Sequence, residues 1–206
     1  MRGIAKFNWL LSLSNPAQPL ASLVTFRILR FKKRDDNESD DDDDGVFVTR
    51  EGDGEPAEIT TDGAQVDDDQ EYAIILDNHS KTNLHVQIWY LDPDDYSIKN
   101  LYEPMNDEQP TLVGQRTDSD PPGRLQIGAS TEHEWPLKYN VPENASRTTL
   151  YVMVFLTTKS IRLGSLDQDP LFGPDAVDDR TIAQGEVDRK DLWDIIRRPI
   201  IVTKVY

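Results

Sequence analysis

The chain has 206 residues, room for one domain with its own core but not for two full ones. It contains no cysteine, which excludes a disulfide framework, a thiolate zinc site and thiol catalysis. The net charge of -16 is local: residues 35–71 hold 17 Asp or Glu against a single basic residue, Arg50, a deficit equal to the whole net charge. The rest of the chain is balanced and lacks a basic stripe interleaved with aromatics, so nucleic acid is not an expected partner.

Residues 1–20 read as a linker or connector. The apolar run at 7–13 superficially resembles a signal peptide, but Asn8 interrupts it, Ser12 and Ser14 thin it, and no small-residue cleavage site follows. No segment reaches the roughly 18 to 20 apolar residues of a membrane span. The expectation is an intracellular, cytoplasmic chain in which three sequons, at Asn37, Asn78 and Asn144, carry no meaning. Residues 1–34 hold seven basic and no acidic residues, a flank expected to pair with the acidic run that follows.

Residues 21–206 are expected to form a single domain. Val24, Phe26 and Ile28 alternate and predict the first strand over 21–31. Residues 35–71 carry five consecutive aspartates, Asp40 to Asp44, and little apolar content beyond Val46, Phe47 and Val48. This predicts an acidic, largely disordered insert with at most one short strand near Val46. Two alternating runs, YAIILD and NLHVQIWYLD, flank the polar turn 78–82 and predict a hairpin. In the second run Leu84, Val86, Ile88 and Tyr90 share one face, and His85, Gln87, Trp89 and Leu91 the other. The Asp92-Pro93-Asp94-Asp95 turn leads to a strand over 96–102, and short strands over 124–127 and 131–137 flank the Gly128 turn.

Residues 148–157, TTLYVMVFLT, are apolar on both faces and predict a central strand covered on both sides. Residues 164–188 are polar and turn-rich. A closing strand over 193–206 contains Pro199, which argues for an edge position or a bulge. About eight short strands separated by turn signals predict an all-β fold, an antiparallel β-sandwich.

Asp40, Asp42, Asp44 and Gly45, followed by Glu51, match the spacing of an EF-hand calcium loop and place Val48 at its apolar position. Five consecutive aspartates meet the alternating-acid requirement trivially, however, and neither flank reads as a helix. No other cofactor is indicated. His79, His85 and His133 have no partner at a diagnostic metal or catalytic spacing. Asp77, His79 and Ser80 supply triad residue types, but neighbours in one turn do not set up triad geometry, and no G-x-S-x-G elbow or phosphate-binding glycine loop occurs. Trp89, Trp135, Trp193 and the seven tyrosines are more often core and rim than groove. Trp89 and His85, opposite the more aliphatic face of their strand, are the residues to consider for a binding surface.

The order YAIILDNHSKTNLHVQIWYLDPDDYSIKNLYEP, GRLQIGAS, TTLYVMVFLTTKSIRLGSLDQDPLF resembles the β-rich accessory region that follows the peptidase domain in fungal caspase-like, metacaspase-type proteins. The matching features are the Asn78 to Ser80 turn, the aromatic-Asp-Pro turn at Tyr90 to Pro93, and Thr157 to Leu166, where Leu163 and Leu166 fit approximately. FNWLLSLSNP resembles the connector leaving such a peptidase domain, and the resemblance extends over about residues 7–172. It implies an accessory domain whose catalytic His and Cys lie outside this chain, so no catalytic residue is assigned. The expected function is a non-catalytic interaction or regulatory module for a protein partner, with a caspase-like peptidase domain as the candidate. The alternatives are a calcium-dependent module using the 40–51 loop and a carboxylate hydrolase.

Overall fold

Runs of β-branched and aromatic residues, cut by prolines and Asp-rich turns, make short strands here. The computed structural model describes residues 2–31, 54–56, 59–60, 63–104, 109–128, 136–161, 166–171 and 192–205. Helix α1 (Arg2–Ser12) and one 3-10 turn (Ala21–Leu23) precede β1 (Val24–Phe31), β2 (Gly54–Pro56), β3 (Ile59–Thr60), β4 (Gly63–Asp67) and β5 (Glu71–Asn78). There follow β6 (His85–Leu91), β7 (Ile98–Tyr102), β8 (Gly123–Ile127), β9 (Leu137–Lys138), β10 (Arg147–Thr157) and β11 (Trp193–Thr203).

The strands form two sheets. One has the order β2-β1-β5-β8, with β9 also pairing with β5, and the other β3-β4-β11-β10-β6-β7. Among the described residues all strand pairings are antiparallel except that of β4 with β11. The all-β sandwich follows from the alternation of side chains. Phe26, Ile28, Ile74, Leu76 and Ile127 of the first sheet meet Val86, Ile88, Val152, Val154 and Ile200 of the second in one buried core. At about 1.5–3 kcal/mol for each such side chain fully buried, this interface is the main source of stability.

β10 is central, between β6 and β11, and both its faces are buried. Leu150, Val152, Val154 and Leu156 enter the core between the sheets, while Met153 and Phe155 face outward and join a second cluster with Trp89, Leu91, Ile98 and Leu166. That second cluster needs a cover, and α1 provides it. Residues 2–12 are therefore a packed helix, not the connector read from the sequence. Phe7 and Leu10, three residues apart and so on one helix face, are each 1% exposed within the cluster. Phe7 also meets Tyr96 edge to face at 5.2 Å.

The helix is tied down at its middle and just beyond its C-terminal end. Lys6 donates to the Asp167 carbonyl at 3.0 Å, and Asn15, just beyond the helix, donates to the Trp193 carbonyl at 2.7 Å. The buried Asp194 carboxylate accepts the backbone N–H groups of Leu20 and Ala21 at 3.1 and 2.8 Å, which caps the 3-10 turn leading into β1.

Residues 71–78 and 85–91 do not form the predicted hairpin, because β5 and β6 belong to different sheets. The turn between them is an arch built on Asn78, which is fully buried. Its carboxamide donates to the carbonyls of Thr82 at 2.9 Å and of Leu112 and Val113 at 3.3 Å. Its Oδ1 accepts from the Ser80 N–H at 3.0 Å and hydroxyl at 2.7 Å. These bonds turn the chain out of one sheet and into the other. Alternation alone cannot distinguish this path from a hairpin, since both connect two strands whose inner faces are apolar.

The acidic insert is also corrected at its C-terminal end. Gly63 to Asp67 form β4, with Ala64 and Val66 buried in the core. Gly63 adopts φ +128 and lies so close to β11 that a Cβ would collide with the Pro199 carbonyl. Pairing with β4 begins at Ile200, directly after Pro199, so among the described residues β11 is an edge up to its proline and interior beyond it. Val46 and the run Asp40 to Asp44 lie outside the described residues, as do 131–135 of the predicted 131–137 strand.

Phe7→Ala is expected to lower the unfolding free energy by about 3–5 kcal/mol, and Trp9→Ala, on the opposite helix face, by about 1 kcal/mol or less, in urea titrations of the full chain. Equal effects would mean that α1 is not part of the core. Asn78→Ala is expected to cost about 2–3 kcal/mol in the same assay, by leaving buried carbonyls and the Ser80 N–H without their partner.

Candidate functional site

The second sheet's outer face carries the features that remain once packing is accounted for. Along β6, His85, Gln87, Trp89 and Leu91 point outward, as their alternation predicts. Trp89 does not form a binding surface: it is 2% exposed, beneath α1, with its ring edge to face with Phe155 at 5.0 Å. An apolar ring on this face is worth more under the helix than in water. His85, half-buried, does reach a surface feature.

That feature is a recess lined by His85, Gln87, Pro104, Phe155, Thr157, Ser160 and Ile161. Register builds its floor, since Gln87 lies opposite Phe155 and His85 opposite Thr157 across the β6–β10 ladder. The turn after β10 builds its wall. Thr157 Oγ1 donates to the Lys159 carbonyl at 2.7 Å and Gln87 Nε2 to the Ile161 carbonyl at 2.8 Å, which draws residues 159–161 over the sheet. The cavity volume is about 10 Å³, room for about one water-sized group. Gln87 is 9% exposed, and its Oε1 has no hydrogen-bond partner among the described residues.

On the far side of α1, Trp9 is 52% exposed. Its helix neighbours on that side, Ala5, Asn8 and Ser12, are short and also exposed. The helix thus buries Phe7 and Leu10 and displays one large aromatic ring.

The other sequence candidates separate. Asp77, buried, is bridged by Arg27 and by Arg124 at 2.7 Å, with both arginines partly exposed. His79 Nε2 lies 3.1 Å from Thr25 Oγ1, and the Ser80 hydroxyl is held by Asn78 and the Thr82 carbonyl. Each of the three triad-type residues therefore has a different structural partner. Asp40, Asp42, Asp44 and Glu51 of the calcium-loop pattern lie outside the described residues, as do His133 and Trp135. Among the described residues no group of three or more His, Asp or Glu is placed to hold a metal ion. No helix among them is long and apolar enough to cross a membrane.

At the end of β6 away from the recess, burial raises the pKa of the Asp92 carboxyl, and Asp95 and Asp94 raise it further. Burial likewise raises the phenols of Tyr90 and Tyr139, whose rings stack at 6.4 Å.

Pro16 and Pro19 favour a connector over residues 1–20, whereas the spacing of Phe7 and Leu10 is the sequence signal for the helix that displays Trp9. Phe155, Thr157, Ser160 and Ile161 come together only through register and the turn after β10, which no local pattern announces. Comparison with family models, with curated proteins and with solved structures finds no match to this chain.

A carboxyl whose folded pKa is raised above its ordinary 3.8 stabilises the fold when protonated, and that contribution is lost as pH rises through the folded value. Asp92→Asn, which keeps the Oδ1 acceptor for the Asp94 N–H, is therefore expected to raise the thermal midpoint at pH 7 and leave it unchanged at pH 3. An unchanged or lower midpoint at pH 7 would contradict this.

Proposed function

We propose that this chain is a non-catalytic interaction or regulatory module that binds a protein partner through the face bearing α1. The observation that carries the reading is Trp9, a half-exposed tryptophan on a helix fixed to the sandwich by Phe7 and Leu10. Tryptophan is enriched among residues that dominate binding energy, and one held on a rigid element loses little conformational freedom on association. Its short neighbours Ala5, Asn8 and Ser12 leave the ring accessible from above.

The resemblance of residues 7–172 to the accessory region of caspase-like cysteine peptidases supplies the candidate partner, a caspase-like peptidase domain. In this reading the chain regulates or positions a catalytic domain and carries no catalytic residue itself.

The test is calorimetric titration of the full chain against a separately purified fungal caspase-like peptidase domain. Saturable binding is expected, with Trp9→Ala weakening it by about 2 kcal/mol or more in a chain that remains folded. Absence of binding, or equal affinity for the Trp9→Ala chain, would contradict the reading. Affinity that appears only with millimolar calcium would instead favour the module built on Asp40, Asp42, Asp44 and Glu51.

A further inference from the structure

We propose that the open edge of β11 between Trp193 and Pro199 binds a short extended segment of a partner polypeptide as an added parallel strand, with an apolar residue level with Ile196 and acidic residues level with Arg197 and Arg198. Among the described residues β10 pairs with the whole of β11 on one side, while β4 covers the other side only from Ile200 onward. The site is separate from Trp9 and does not rest on the reading of the α1 face.

The strand direction follows from the backbone groups that remain. The Leu192 carbonyl accepts the Thr158 N–H and so faces β10. By the alternation of an antiparallel ladder, the N–H and C=O groups of Trp193, Ile195 and Arg197 then face the open side. Side chains take three of them: Asn15 Nδ2 donates to the Trp193 carbonyl at 2.7 Å, Asp194 Oδ1 accepts the Ile195 N–H at 2.8 Å, and Arg198 Nη1 donates to the Arg197 carbonyl at 3.1 Å. The Ile195 carbonyl and the Arg197 N–H have no such partner among the described residues. One residue of a parallel strand, level with Ile196, uses that very pair, donating its N–H to Ile195 and accepting from Arg197. An antiparallel strand needs both groups of Ile195 or both of Arg197, and one of each is already occupied. Main-chain bonds of this kind, with side chains selecting the sequence, are how extended peptides join open sheet edges.

Charge and space narrow the sequence. Arg197 and Arg198 are exposed, and neither is ion-paired among the described residues. Arg198 rests on a neutral carbonyl, a weaker bond than the one a carboxylate offers a guanidinium. At the other end the Asp194 carboxylate, which accepts the N–H groups of Leu20, Ala21 and Ile195, repels an acid level with it. The acidic residues therefore belong at the C-terminal end of the segment alone. Ile196 lies in the core between the sheets, so an apolar side chain level with it extends that core. Length is bounded as well, by Asn15 at the Trp193 carbonyl and by Gly63, packed against the Pro199 carbonyl. The segment occupies the levels of residues 194–198.

The experiment is a titration of the isotopically labelled full chain with the capped peptide Ac-Thr-Thr-Val-Glu-Glu-NH2, followed by amide NMR shifts. The controls are the reversed sequence, Ac-Glu-Glu-Val-Thr-Thr-NH2, and the first peptide carrying N-methylvaline, which lacks the N–H for the Ile195 carbonyl. The first peptide is expected to shift the Arg197 amide saturably and slow its hydrogen exchange, binding at least about tenfold more tightly than either control. Replacing both arginines, Arg197→Gln with Arg198→Gln, should weaken it at least about tenfold, and Trp9→Ala should leave it unchanged, so this site and the α1 face fail independently. No saturable shift at Arg197, equal binding of either control, or unaltered affinity in a folded double variant would overturn the proposal. So would an Arg197 amide already protected from exchange without peptide, since the chain itself would then fill the edge. If the double variant loses the native amide pattern, the three-peptide comparison on the unaltered chain decides alone.

Discussion

A strand that is apolar on both faces has to be covered twice, and β10 is such a strand. Its first cover is the opposite sheet, which receives Leu150, Val152, Val154 and Leu156. Its second is α1, which receives Met153 and Phe155 together with Trp89 of β6. The architecture is thus three layers over the middle of the second sheet, helix, sheet and sheet. The long-range bonds from Asn15 to Trp193 and from Asp194 to Leu20 and Ala21 join the N-terminal segment to the last strand. These contacts span most of the chain, so the helix and the closing strand are positioned together.

The exposed features of this face are consequences of that second cover. A helix that buries one face must expose the other, and on this helix the exposed side carries Trp9 among short residues. Beyond the apolar cluster the outer face of β6 turns polar at Gln87 and His85, and the turn after β10 closes over it only far enough to satisfy half of the Gln87 amide. Both features arise at the boundary between what the helix covers and what it leaves.

Much of the sandwich was legible in the sequence because period-two alternation is a local property. The faces of β6 and β10 follow it residue by residue, and Pro199 marks where β11 changes from edge to interior. What was not legible depends on partners distant in sequence. The arch at Asn78 relies in part on the carbonyls of Leu112 and Val113, more than thirty residues away. β4 hides in an acidic stretch because two small apolar side chains, Ala64 and Val66, suffice where a parallel neighbour supplies the ladder. The helix was obscured by its prolines and serines downstream, which favoured a connector over the Phe7 and Leu10 spacing. Gln87 was visible as a polar residue on a strand, but its unmatched oxygen depends on the path of residues 159–161.

Native-state hydrogen exchange of the full chain tests most directly whether α1 is the second cover of β10. If it is, the α1 amides exchange with protection comparable to that of β10, because removing the helix exposes the Trp89, Met153 and Phe155 cluster and opens the same cooperative unit. Unprotected α1 amides beside a fully protected β10 would contradict the account, since the outer face of the sheet would then hold its apolar residues without the helix.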